Sequence, residues 1–214
     1  MLRLSFSLFL SFSGLRIIAQ EVTHQQSYWV RVYFQGNIAP KWTWNIESDE
    51  RRLIRPNAQL QFIAHLRVQR TLNKALAISG GSTWSVVNDI PEWRLFQEFH
   101  WTIPLTEKLK AYSRFRTEQR FFHVAEDDWQ QHFRWRYRLQ AAYSIWPYFI
   151  IKCSDEYMWQ NDAFDQNRIY SAIEYRFSKW LSFEIGYLKL FQRRQENRFF
   201  CRDILRTTFY LTAQ

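Results

Sequence analysis

Residues 132–141 have the sequence HFRWRYRLQA, in which every second side chain is apolar. Phe133, Trp135, Tyr137 and Leu139 form one set, and arginines occupy the intervening positions 134, 136 and 138. Successive side chains of a β-strand point to opposite faces. The stretch therefore predicts a strand with one apolar face and one strongly basic face.

The same alternation recurs along the chain in segments of about ten to fourteen residues, and no helical stripe of comparable length appears. In residues 58–70 the pattern has a single exception, Ile63. The predicted strands are residues 28–35, 42–49, 58–70, 76–87, 92–103, 109–120, 132–141, 148–159, 168–177, 181–193 and 204–212. This pattern predicts an all-β protein.

Composition excludes several classes of protein. Of 214 residues, 47% are hydrophobic and 19% aromatic, with only 5 Gly and 5 Pro, which argues against disorder. Beyond the N-terminal segment no run of about 20 apolar residues occurs, so helical membrane spans are excluded. The two cysteines, Cys153 and Cys201, are too few for a disulfide framework or a four-ligand zinc site. We expect no metal and no other cofactor.

The N-terminal segment resembles an export signal. Arg3 precedes an apolar stretch at residues 4–15, and Ala19 lies at a plausible cleavage site. We therefore predict a signal peptide at residues 1–20 and an exported domain at residues 21–214.

The connections between predicted strands alternate between tight turns, such as residues 144–147, and more polar links, such as residues 122–128. This alternation is typical of a closed antiparallel transmembrane β-barrel. The pattern gives eleven strands, whereas bacterial single-chain barrels usually have an even number. We predict twelve, with residues 22–27 as a short extra crossing, and ten as the fallback.

Periodicity does not establish which face points inward. In a soluble periplasmic β-protein the apolar faces form the core, and in a membrane barrel they face lipid. Tryptophans lie close to the predicted turns and loops, as in an aromatic girdle: Trp42, Trp84, Trp93, Trp101, Trp129 and Trp180. We therefore predict a barrel in the outer membrane of a Gram-negative bacterium, with outer-membrane lipid and the barrel-assembly machinery as partners.

The charged faces would then line the lumen, where arginine outnumbers carboxylate. The candidate lumen or solute-contact residues are Arg114, Arg116, Arg134, Arg136, Arg138, Arg168, Glu156 and Glu174. Two interpretations remain open. The surplus arginines could form a narrow pore that prefers small anionic solutes. Alternatively, ion pairs could fill the lumen of a non-conducting structural barrel that acts through a partner.

Other functions have weaker support in the sequence. The arginines alternate with apolar residues instead of forming one exposed patch, so we expect no nucleic acid partner. No G-x-S-x-G, H-E-x-x-H or Gly-rich phosphate loop occurs, and the five histidines are scattered. We expect no catalytic residue and no enzyme; an outer-membrane hydrolase is the second alternative.

Four segments resemble a known family in their order: RWRYRL at 134–139, DE at 155–156, FDQNRIY at 164–170 and EIGYL at 184–188. They are similar to the small outer-membrane β-barrels of the DUF2490 family. The resemblance implies the fold and the outer membrane, and it implies no mechanism. Arginine lining and size also resemble those of porins for acidic oligosaccharides, by analogy of architecture only.

The end of the chain departs from the pattern of outer-membrane barrels, whereas Arg168 lies within the resembling segments. The chain ends on Thr212, Ala213 and Gln214, where outer-membrane barrels often end on an aromatic residue. Arg168, in the FDQNR segment, is expected to pair with Glu156 or Glu174, or alternatively to contact a solute.

Overall fold

The computed structural model describes residues 22–87, 90–125, 128–193 and 199–213, and the predicted signal peptide lies outside these ranges. Eleven strands occupy the described residues. Their bounds are β1 (Val22–Ala39), β2 (Trp42–Leu53), β3 (Gln59–Thr71), β4 (Leu76–Val87), β5 (Ile90–Pro104), β6 (Leu109–Ala125), β7 (Asp128–Trp146), β8 (Phe149–Gln160), β9 (Ala163–Arg176), β10 (Leu181–Arg193) and β11 (Phe199–Thr212). No helix in these ranges is long and apolar enough to span a membrane.

The strands form one closed barrel in which each strand pairs with its neighbours in sequence. These pairs are antiparallel, except for the closing seam, where β1 and β11 run parallel with Val22 opposite Phe199 and Gln35 opposite Thr212. The prediction of twelve strands was therefore wrong. Residues 22–27 form the start of β1 beside β11 and make no separate crossing. An even count assumes an antiparallel seam, and the parallel pairing removes that requirement.

The barrel has two rims. The C-terminal rim carries the end of β11 and the connections at residues 40–41, 72–75, 105–108, 147–148 and 177–180. The N-terminal rim carries the start of β1 and the other connections. The link predicted at residues 122–128, at this rim, is wrong, since β6 runs to Ala125 and β7 begins at Asp128.

The turn between β8 and β9 has a local explanation. Asn161 and Asp162 both have positive φ, at 47° and 63°. Two-residue hairpin turns need this conformation, and Asn and Asp tolerate it better than other side chains. The Asn161 side-chain carbonyl also accepts a hydrogen bond from the Phe133 backbone N–H at 3.0 Å. The link predicted at residues 160–165 is consequently reduced to two residues.

Polar side chains point into the barrel and apolar side chains point out. Glu118 and Arg134 are 1% and 5% exposed, whereas Leu139 and Trp93 are 51% and 49% exposed. The predicted alternation is therefore confirmed, with the charged faces enclosed and the apolar faces forming the exterior.

The interior is not uniformly charged. On β1, β9, β10 and β11, apolar side chains also project inward and bury one another, with Trp29, Leu188 and Ile204 at most 2% exposed. The densest set of luminal charges lies on β5 to β8, which we call the charged wall. The other wall combines these apolar side chains with fewer charged ones.

Candidate functional site

The register of β6, β7 and β8 places like charges opposite one another. Arg114 faces Arg138, Arg116 faces Arg136, and Glu118 faces Arg134 across the β6–β7 pair. Two guanidiniums at directly opposed positions repel. Carboxylates must therefore neutralise them from diagonal positions or from the next strand.

Glu118 binds three arginines at once. It accepts hydrogen bonds from Arg134 Nε at 2.6 Å, from Arg136 Nη1 at 2.8 Å and from Arg116 Nη1 at 3.2 Å. Charge-assisted bonds of this kind are stronger than neutral ones. Glu118 therefore ties β6 to β7 beneath the guanidiniums.

Glu98 and Glu156 extend the network to β5 and β8. Glu98 accepts from Arg116 Nε at 2.6 Å and lies 3.2 Å from Arg114 Nη1. Glu156 accepts from Arg136 Nη2 at 2.9 and 3.0 Å and also from Arg114. We call Glu98, Glu118 and Glu156, with Arg114, Arg116, Arg134 and Arg136, the arginine network. Its carboxylates are at most 6% exposed, so they lie against the wall and the guanidiniums cover them.

Two predicted residues lie at the edge of this network. Arg168 Nη1 is 3.9 Å from Glu156, its Nε donates to Gln166 at 3.2 Å, and its guanidinium lies over the Trp29 ring. Arg138 is half-buried, and no carboxylate of the described residues lies within 4.0 Å of its guanidinium. Among the described residues, direct ion pairing therefore neutralises Arg168 only weakly and Arg138 not at all.

Glu174 belongs to a different cluster. It binds Lys152 Nζ at 2.5 Å and Arg176 Nε at 3.1 Å, near the C-terminal rim. Among the predicted site residues, the structure therefore brings together Arg114, Arg116, Arg134, Arg136 and Glu156, places Arg138 and Arg168 beside them, and separates Glu174.

Sequence reasoning missed the centre of that second cluster. Glu184 is fully buried and binds Lys152 at 2.7 Å, Arg206 at 3.1 Å and the Tyr170 hydroxyl at 2.6 Å. The sequence signal for Glu184 was the alternation of β10, in which a charged residue lies between apolar neighbours at an inward position.

An aromatic side chain is built into the charged wall. The Phe96 ring stacks on His65 with centroids 4.5 Å apart, and the Arg116 guanidinium lies 4.5 Å from its centroid. Gly81 makes room for this ring, since a Cβ there would lie 2.6 Å from it. The sequence signal for Phe96 was an aromatic residue at one of the alternate positions of β5 that carry mainly polar residues.

A serine, a histidine and a glutamate meet in the lumen. Ser79 Oγ lies 2.9 Å from His100 Nε2, and Glu98 lies 3.2 Å from the same nitrogen. In a catalytic triad the base contacts the nucleophile through one ring nitrogen and the acid through the other. Here both contacts converge on Nε2, and Ser79 donates to Glu98 at 2.7 Å. The three side chains form a hydrogen-bonded group without triad geometry.

The lumen contains two cavities. One of about 510 Å³ lies toward the N-terminal rim, and one of about 1080 Å³ lies toward the C-terminal rim. We call the side chains that line both cavities the waist: Arg31, Glu47, His65, Arg114, Arg116, Arg138, Gln140, Tyr170 and Arg206. Among the described residues, twelve arginines and three carboxylates line the N-terminal cavity, so its surface is strongly positive.

The described residues include no group of three or more His, Cys, Asp or Glu placed to hold a metal ion. The lumen presents ion pairs, amides and guanidinium donors.

Comparison with known proteins supports a porin-like fold. The barrel is similar to a solved structure described as a NanC porin, with a TM-score of 0.54 and 12% sequence identity; the match covers 81% of this chain and 88% of that chain. At this identity the likeness is one of fold. No curated protein matches the chain. The model of the family described as "Protein of unknown function (DUF2490)" matches residues 26–200 and confirms the resemblance of the four segments. The chain belongs to the DUF2490 family.

Proposed function

We propose that the protein is a narrow channel in the outer membrane of a Gram-negative bacterium and that it prefers small anions. The observation that carries this proposal is a lumen with a cavity toward each rim, lined by more arginines than carboxylates. The signal peptide at residues 1–20 and insertion by the barrel-assembly machinery are parts of the same proposal.

The barrel exterior supports a membrane location. Leu95, Trp101 and Phe133 point outward and are 49–50% exposed, within an exterior of many similar side chains. Soluble monomers rarely expose contiguous apolar patches larger than a few hundred Å². Lipid would cover this surface, whereas a soluble periplasmic protein would leave it in water.

The arrangement of luminal charge supports a preference for anions. Glu98 and Glu118 lie against the wall, 4% and 1% exposed, beneath the guanidiniums that bind them. A solute in the cavities therefore meets guanidinium groups before carboxylates. A row of positive groups attracts anions and allows them to exchange one partner for the next.

A second function has one specific observation in its favour. At the waist, Arg114 binds both Glu98 and Glu156, and Arg116 binds Glu98, so ion pairs join β5, β6 and β8. A lumen fixed in this way would suit a non-conducting barrel that acts through a partner. No comparable observation favours an enzymatic function, because Ser79, His100 and Glu98 lack triad geometry.

Planar bilayer recording tests the proposal. The full mature chain is refolded, its folding is verified by the heat-dependent shift in electrophoretic mobility, and single-channel current is measured across a potassium chloride gradient. We expect discrete current steps and a reversal potential of the sign that chloride selectivity gives. Silence from folded protein would overturn the channel and favour the structural barrel.

A further inference from the structure

Four other arginines of the charged wall are engaged by carboxylates. Arg114, Arg116, Arg134 and Arg136 each contact Glu98, Glu118 or Glu156 at 3.2 Å or less. Arg138 differs from them, since no carboxylate of the described ranges lies within 4.0 Å of it.

This difference is unexpected from strand pairing, because Arg138 lies directly opposite Glu156 in the β7–β8 register. Glu156 is occupied by other donors. Its Oε1 accepts from Arg136 Nε at 3.2 Å, from Arg136 Nη2 at 2.9 Å and from Arg114, and its Oε2 accepts from Arg136 Nη2 at 3.0 Å. A carboxylate offers about four acceptor positions. The bonds to Arg136 and Arg114 therefore leave Arg138 without its in-register partner.

The charge of Arg138 matters because of the position of its side chain in the lumen. Its side chain lines both cavities, so it lies at the boundary between them. Gln140 lies two residues further along the same inward face of β7, and Tyr170 also lines both cavities. Arg114 faces Arg138 across the β6–β7 pair but is already bound by carboxylates. Arg206, also at the waist, is stacked 3.6 Å over the Tyr170 ring and paired with a carboxylate. Unlike these two guanidiniums, Arg138 has no carboxylate within 4.0 Å among the described residues.

We propose that Arg138 is the anion-binding residue of the waist, where a carboxylate or phosphate group of a permeating solute binds before it passes between the cavities. This inference rests on the proposed channel and assigns its selectivity to one residue. The arginine network would hold the wall in place, since each of its guanidiniums is already bonded to a carboxylate. A guanidinium binds carboxylate and phosphate oxygens in a planar fork, so oxyanions are favoured over chloride.

Inorganic phosphate is the probe for this site. We compare wild type with Arg138→Gln, which removes the charge, and with Arg138→Lys, which keeps the charge and loses the fork. Arg70→Gln is the matched control, because Arg70 is exposed on the outer surface over the Trp42 ring. The readouts are the reversal potential in potassium chloride and the block of chloride current by phosphate.

In Arg138→Gln we expect phosphate block to weaken about tenfold or more, as loss of a charge-assisted hydrogen bond gives, with a reversal potential closer to zero. Arg138→Lys should keep the reversal potential and lose most of the block, and Arg70→Gln should match wild type. Folded Arg138→Gln with unchanged block and reversal potential would overturn the assignment.

The failure of the channel is distinguishable from the failure of this site. If wild type is silent in bilayers, the channel is overturned, and phosphate binding to the folded protein in detergent is measured by calorimetry. Binding that Arg138→Gln abolishes and Arg70→Gln retains would then support the site. Equal binding in wild type and Arg138→Gln, or no binding in either, would overturn it.

Discussion

At the scale of single residues, Glu118 is expected to stabilise the charged wall. It binds three arginines and is 1% exposed. In Glu118→Gln those guanidiniums would face one another without their shared carboxylate. Breaking a buried ion pair on one side costs about 3–5 kcal/mol. We expect a loss of that size in the free energy of unfolding, measured by urea titration with tryptophan fluorescence.

Glu50→Gln provides the control for this substitution. Glu50 pairs with Arg52 at 3.4 Å, and both side chains are about one-third exposed. Exposed pairs contribute about 0–1 kcal/mol, so its unfolding curve should lie close to that of wild type. Similar curves for the two variants would contradict the role given to Glu118.

The sequence predicted which residues enter the lumen and did not predict how they pair. Alternation placed Arg114, Arg134 and Glu156 on the charged faces, and the tryptophans near the turns indicated that these faces point inward, as they do. The expected pair of Arg168 with Glu156 is a long contact of 3.9 Å, and Glu174 binds Lys152 instead. Each long side chain reaches several opposite charges on neighbouring strands, so the choice among them depends on register and packing.

At the scale of strands, the parallel seam between β1 and β11 can be tested by crosslinking. Val32 lies opposite Phe209 in the seam. Cysteines at paired positions of adjacent strands are within the Cα separation that a disulfide requires, about 4.4–6.8 Å. In a background with Cys153→Ser and Cys201→Ser, we expect Val32→Cys with Phe209→Cys to form an intramolecular disulfide, detected by altered electrophoretic mobility without reductant.

Val32→Cys with Leu205→Cys is the matched control. Leu205 lies four residues before Phe209 on β11, which places it about 13 Å from the position opposite Val32. This pair should stay reduced. Crosslinking of the control, with none in the test pair, would reject the register and the eleven-strand closure.

The bounds of two strands were predicted correctly. The bounds of β4 (Leu76–Val87) and β10 (Leu181–Arg193) equal the predicted ones. β6 and β7 are longer than predicted, since polar residues near 122–128 resemble a loop although the strands continue to Ala125 and from Asp128. The strand number was wrong because no local pattern encodes whether the first and last strands run parallel.

At the scale of the whole molecule, the inverted distribution of polar and apolar side chains predicts different responses to charge on the two faces. Leu66, midway along β3, points outward and is 49% exposed. In the proposed membrane barrel, Leu66→Arg would place a charge in lipid, which costs about 2–4 kcal/mol near the bilayer midplane. We expect this loss in the free energy of unfolding from phospholipid bilayers.

Gln69→Arg on the same strand is the control, because Gln69 lines the C-terminal cavity of about 1080 Å³. Its guanidinium would remain in a polar lumen, so a smaller loss is expected. A soluble barrel would tolerate Leu66→Arg as an ordinary surface change, and that result would contradict the membrane location.

The parallel seam also limits circular permutation of the chain. Because β1 starts at one rim and β11 ends at the other, reporters fused beside Val22 and beyond Thr212 would lie on opposite sides of a membrane. Circular permutation works when the termini are close. Here a linker joining them would have to travel the length of the fourteen-residue seam, about 45 Å, through the lumen or along the lipid-facing wall. A linker through the lumen would occupy both cavities and close the proposed passage, and a linker along the outside would have to cross the apolar exterior.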